Sequence, residues 1–212
     1  MQRLFILLYF YGMKYTVFAL MTGLLIAACN NNASKTTNTT TAATDSIAPQ
    51  QDFFPVPDYI GGQLKIIDSL QLPISKSVTI NNNTQLSVAT DKELRELAQN
   101  FRQPDISDPA LKKFYHETSI ADQSIPSVTF IYTTTDTTLQ VQKINVYVKP
   151  DPVQNDKVTG IYIEKTFNRN DTSFSQKLYW KTGKNMQIIT EKQVKGKSLP
   201  VEQVKITWDY SE

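Results

Sequence analysis

The sequence predicts an α+β fold in which N-terminal helices pack on a curled six-stranded antiparallel meander sheet. Three observations carry this. Apolar residues recur at helical spacing upstream of Pro104, then at every second position after Pro126. Clusters of turn-forming residues interrupt the second half at three places. All the helix signals precede the alternating run, which segregates the helices to one side of the sheet.

Phe53-Phe54-Pro55-Val56-Pro57 leads into the first helix. Pro57 suits a first turn, where a missing N–H is tolerated, and Asp58 complements the helix dipole. Ile60, Leu64 and Ile67 form an apolar stripe flanked by Tyr59, Ile66 and Leu70, and Pro73 stops the helix. Gly61-Gly62 inside it costs about 1 kcal/mol per residue against Ala. Such a pair marks close packing or, as the other reading, a ligand against bare backbone. Val78-Thr79-Ile80 and Leu86-Ser87-Val88 flank Asn81-Asn82-Asn83 and read as a small hairpin, since Asn tolerates positive φ. Thr90-Asp91-Lys92-Glu93 is a capping box, followed by Leu94, Leu97, Ala98 and Phe101 on one helical face. Pro104 ends this helix. Ser107-Asp108-Pro109 opens a shorter one with Leu111, Phe114 and Tyr115 inward.

The six strands follow. Val128, Phe130 and Tyr132 share one parity, and Thr134-Thr135-Asp136-Thr137 turns the chain. Leu139 and Val141 lie on one parity while Ile144, Val146 and Val148 lie on the other. A bulge near Gln142-Lys143 reconciles them. Ile161/Ile163/Phe167, Phe174/Leu178/Trp180, Met186/Ile188 and Val204/Ile206/Trp208/Tyr210 supply four more strands. Breaks fall at Asn168-Arg169-Asn170-Asp171, Thr182-Gly183-Lys184-Asn185 and Lys195-Gly196-Lys197.

The chain has 212 residues and a formal charge of +2, which comes entirely from Arg3 and Lys14. Beyond Cys29 there are 20 basic and 20 acidic residues, so the basic isoelectric point gives no ground for nucleic-acid binding. Residues 126–212 hold 12 basic against 9 acidic, nearly all of the bases lysine, which reads as a solvated sheet face. Cys29 is the only cysteine, so no internal disulfide forms and residues 53–212 must be held by one hydrophobic core.

Catalytic chemistry is sparse. His116 is the only histidine, which rules out a multi-histidine metal centre, and the five glycines of the domain leave no phosphate-cradling loop. No Gly-x-Ser-x-Gly elbow occurs. Titratable groups concentrate from Asp105 and Asp108 through His116-Glu117 to Asp122. His116 could serve as a general base, but a helical segment would turn Glu117 about 100° away from it, and Asp108 is explained as a helix start. His116 therefore reads as a structural hydrogen-bonding residue. No catalytic residue, metal or cofactor is assigned. Tyr147 and Tyr179 lie opposite in parity to the apolar residues of their strands, so both sheet faces carry aromatics. Either an apolar ligand or cross-strand pairing accounts for that.

The N-terminus carries a different signal. Tyr15 to Ala28 holds no charge after Met13-Lys14 and ends in Leu25-Ile26-Ala27-Ala28-Cys29. This resembles a bacterial lipobox, whose cysteine thiol takes a diacylglyceryl group; an uncleaved anchor with a chance cysteine is the other reading. Residues 1–28 are then a signal peptide, with Met13 favoured over Met1 as its start. Residues 29–52 form the lipidated cysteine and an Asn/Thr-rich tether. With Ile47 its one aliphatic residue larger than Ala, Asn30 to Gln51 buries too little to fold. It spans roughly 25 Å as a flexible chain. Asp45-Ser46-Ile47 resembles the O-glycosylation acceptor of Bacteroidota-type lipoproteins, with Ser46 the candidate site and a plain polar linker the alternative.

With Phe53-Phe54-Pro55-Val56 opening the domain, Lys177-Leu178-Tyr179-Trp180 and Gln187-Ile188-Ile189, the chain resembles small lipoproteins of Bacteroidota-type diderm bacteria. That grouping implies no known activity. No acidic residue follows Cys29 as a surface-export signal, and Asn30 replaces the aspartate of inner-membrane retention. The resemblance implies the periplasmic face of the outer membrane. The expected function is a non-enzymatic interaction module that docks a protein partner of the cell envelope through the sheet edge or the Lys-rich face, with the membrane held through its lipid. The alternative is a carrier that holds a lipid or other apolar ligand between helices and sheet.

Overall fold

The computed structural model describes residues 52–122, 124–151, 153 and 156–209. It overturns the expected α+β architecture. The described residues are mostly β, a single antiparallel sheet of ten strands with three short helices, rather than helices on a six-stranded sheet.

Helix α1 spans Val56–Leu70, with Pro57 in its first turn and no side-chain cap. It stops before Pro73, because Gln71 adopts a left-handed φ of 48° and bonds back to the Asp68 carbonyl. Helix α2, Asp91–Arg102, carries the capping box in both directions: the Thr90 hydroxyl accepts from the Glu93 N–H, and the Glu93 carboxylate accepts from the Thr90 N–H. Helix α3 is only Pro109–Lys112, capped by Asp108. Phe114, expected inward, is instead exposed, while Tyr115 is buried and its hydroxyl donates to the Val141 carbonyl at 2.8 Å.

The strands are β1 (Ser75–Ile80), β2 (Asn83–Val88), β3 (His116–Asp122), β4 (Ser127–Thr133), β5 (Val141–Lys149), β6 (Lys157–Arg169), β7 (Thr172–Lys181), β8 (Asn185–Val194), β9 (Lys197–Ser198) and β10 (Glu202–Thr207). They lie in the order β2-β1-β10-β8-β7-β6-β5-β4-β3, with β9 beside β8. The six expected strands are β4 to β8 and β10. Strands β1 and β2 do form a hairpin, with Asn81 and Asn82 at φ 50° and 63°, but it extends the main sheet by pairing with β10. That partner lies more than 120 residues away, so no local pattern announces it. Strand β3 falls on the segment expected to continue a helix. It is an edge strand paired only with β4, and its single large aliphatic residue, Ile120, leaves no alternation to read.

Two bulges shape the sheet. The β5–β6 register slips at Gln142, where the parity of apolar residues switches, and again at Thr159, which lies between the pairs Tyr147–Gly160 and Val148–Val158.

The core fills the inner face. Ile144, Val146, Ile161, Ile163, Leu178 and Trp180 meet Ile60, Leu64 and Ile67 of α1 and Leu94, Ala98 and Phe101 of α2, all buried. Phe101 sits edge-on to Trp180 at 5.4 Å, and Trp180 contacts Trp208 at 5.1 Å. The Tyr59 hydroxyl ties α1 to the Val158 carbonyl and the Thr182 hydroxyl. Lys165 on β6 is buried, and its ammonium donates to the carbonyls of Asn100 and Gln103 at the end of α2. Burial pulls its pKa down to about 8.

Candidate functional site

Two surfaces of the sheet stand open, an edge and a face. The edge is β2, with all six residues exposed; Leu86 is 81% and Val88 85% exposed. It terminates the sheet, so alternate N–H and C=O groups along its outer side lack a ladder partner. Its sequence, Asn83-Thr84-Gln85-Leu86-Ser87-Val88, holds no charge and no proline. The opposite edge differs. Strand β3 carries Glu117 and Asp122, whose charges deter pairing with another chain. Of the two edges, β2 is the one left unguarded.

The face is the side of the sheet turned away from the helices. Register places Asn145, Tyr162, Tyr179, Gln187 and Lys205 in one row, and Tyr147, Gly160, Lys181 and Asn185 in the next. The parity noticed for Tyr147 and Tyr179 is therefore an outward-facing aromatic surface, with Tyr162 as a third member. Tyr162 and Tyr179 rings lie 4.8 Å apart, so cross-strand pairing accounts for part of it. The Tyr162 hydroxyl donates to Glu164 at 2.6 Å, and burial together with that carboxylate holds its pKa well above the ordinary phenol.

Beside these rings is a hollow of about 300 Å³ lined by Tyr147, Thr159, Gly160, Tyr179, Asn185 and Gln187, among others. Gly160 forms its floor. A Cβ there would lie 2.9 Å from the Trp180 carbonyl oxygen, so any side chain would force the paired backbone to shift. An isolated glycine inside an alternating apolar run is the sequence signal that marks this position.

The titratable cluster does not assemble. His116 is exposed on β3, and Glu117 lies beside it on the strand's other face, opposite Tyr132. Asp105 accepts from the Ser107 N–H and hydroxyl, Asp108 caps α3, and Asp122 accepts from Ser124 and the Ile125 N–H. Each aspartate is engaged by its own turn, and none orients His116. Among the described residues no group of three or more His, Cys, Asp or Glu is placed to hold a metal.

The glycine pair also reads differently in three dimensions. Gly62 faces open space, and a Cβ on Gly61 would meet only the Arg102 guanidinium at 3.8 Å. Where a carrier would open between helices and sheet, buried side chains such as Ile60, Leu64, Leu94, Ile163 and Leu178 pack into one core cluster. Cys29 and Ser46 lie outside the described residues. No described helix is long and apolar enough to cross a membrane.

Comparison of the chain with protein-family models, curated proteins and solved structures finds no match.

Proposed function

We propose that this chain is a periplasmic lipoprotein, anchored to the outer membrane through Cys29, that works as a non-enzymatic interaction module. Its partner contributes an extended segment that adds to β2 as a further strand. The observation that carries this reading is the unguarded β2 edge, six exposed residues with Leu86 and Val88 projecting on one face. Strand addition draws affinity from main-chain hydrogen bonds and specificity from alternate side chains. The neutral edge sets no charge requirement, so the partner segment is one of alternating polar and apolar residues.

A photo-crosslinking residue placed in turn at Thr84, Leu86 and Val88 of the full chain in cells tests the edge. Adducts to one envelope protein, at sites spaced two residues apart in that protein, are expected. Adducts only between two copies of the chain, equal adducts from Thr118 on β3, or no adduct would overturn the reading. The anchor is tested separately: Cys29→Ser is expected to abolish labelling by radioactive palmitate, and undiminished labelling would remove it.

A further inference from the structure

The hollow over Gly160 lies on the opposite side of the sheet from the helices and away from the β2 edge, and strand addition leaves it unused. We propose that it binds an acidic oligosaccharide, a short chain of sugar rings bearing carboxylate groups.

Its shape is built rather than accidental. The Thr159 bulge brings two residues opposite Tyr147, and the Trp180 carbonyl disfavours a side chain on the second, Gly160. A recess therefore persists between Tyr147 and Tyr179, which are 39% and 41% exposed. Both rings are braced, Tyr179 against Tyr162 and Tyr147 through its hydroxyl, which accepts from the Asn145 amide at 3.3 Å. Little ordering is left for a ligand to impose.

The lining chemistry selects the ligand. A sugar ring has a C–H face and a rim of hydroxyls. The negative face of an aromatic ring attracts polarised C–H groups. The amides of Asn185 and Gln187 offer both donors and acceptors at the rim, and the Thr159 hydroxyl, whose own proton goes to the Tyr147 carbonyl, offers an acceptor. A volume of about 300 Å³ lies at the small end of ligand sites and suits one or two sugar rings.

Charge completes the assignment. Register places Lys149 and Lys157 opposite each other beyond Tyr147, Lys181 opposite Gly160, and Lys205 opposite Gln187. Four ammonium groups without an ion pair among the described residues, Lys181 lining the recess and the others near it on the same face, call for negative charge on the ligand. A nucleic acid shares aromatic stacking and charge, but charges beyond Cys29 balance at 20 against 20, so a long polyanion gains little outside this patch. An anionic membrane surface would meet a recess rather than a protruding apolar face.

Calorimetric titration of the full chain in mild detergent with hexagalacturonate tests the site. Saturable binding is expected at low salt, absent with neutral maltohexaose. Tyr179→Ala and its companion Tyr147→Ala, each verified as folded by thermal melting, should weaken binding roughly tenfold. Lys181→Gln should weaken it less and flatten its salt dependence. Absence of binding, equal binding of maltohexaose, or unchanged affinity in both folded tyrosine variants would overturn the proposal. Tighter binding of oligothymidylate or of phosphatidylglycerol vesicles would do the same. None of these results bears on the β2 edge, which is remote from the recess in strand order.

Discussion

Lys165 of β6 donates its ammonium to the main-chain carbonyl of Gln103, the residue that closes α2. A strand in the middle of the sheet thereby caps a helix lying across it, at the end where the helix dipole is negative and a cation is favoured.

Burial of that ammonium, working against the contact itself, gives stability an unusual dependence on alkaline pH. Burial lowers the Lys165 pKa to about 8 from the ordinary 10.5, so between these values the unfolded chain binds a proton that the folded chain has released. Stability rises with pH in that window, by on the order of 2 kcal/mol. Tyr115 and Tyr132 act in the opposite sense, since burial raises both to about 12. Above pH 10 the unfolded chain sheds phenolic protons that the folded chain keeps, and stability falls. Urea midpoints should climb from pH 8 to about pH 10 and then decline. Lys165→Met should remove the climb and leave the decline.

Thr90→Ala should destabilise the domain by about 1 kcal/mol, because it deprives α2 of its N-cap acceptor. The same change reaches Glu93, whose carboxyl is held down at about 2 by the Thr90 N–H, the Lys76 ammonium and the Thr90 hydroxyl. NMR titration should show the Glu93 pKa move upward, while urea unfolding reads the stability.

Two glycines should respond in opposite directions. Gly62→Ala meets nothing within 4 Å and improves helix propensity, so a gain of up to about 1 kcal/mol is expected. Gly160→Ala drives a Cβ to 2.9 Å from a backbone oxygen in a paired strand, and a loss of about 1–3 kcal/mol is expected. Thermal melting of the two variants checks both signs.

His116→Gln should change stability by less than about 0.5 kcal/mol, as befits an exposed residue on an edge strand without a special contact. A larger loss in chemical denaturation would point to a partner that the edge conceals.

Features encoded within a few consecutive residues were legible in the sequence. The capping box at Thr90 and Glu93 is complete in four residues, and the bulge at Gln142 follows from the parity of Val141 against Ile144. The outward tyrosines were legible for the same reason, because alternation assigns a face whether or not the partner strand is known. Strand count was not. The β1–β2 hairpin looks alike whether it stands alone or joins a sheet, and its link to β10 rests on pairs such as Val78–Val204, which no local rule connects. Strand β3 escaped because an edge strand with both sides wet needs no apolar period. The recess over Gly160 required both the register of three strands and the position of a carbonyl, neither of which is written in residue identity.

The place of β10 between β8 and β1 sets the order in which the molecule can be completed. Synthesis runs from the N-terminus, so the β1–β2 hairpin exists long before the strand it needs, and the seven strands between them emerge in the interval. The meander from β3 to β8 assembles from neighbours, but the sheet stays in two pieces until Glu202 to Thr207 arrive. Closing it joins segments over 120 residues apart, a slow step by the measure of sequence separation. Premature termination anywhere before Glu202 would strand a hairpin with two bare edges.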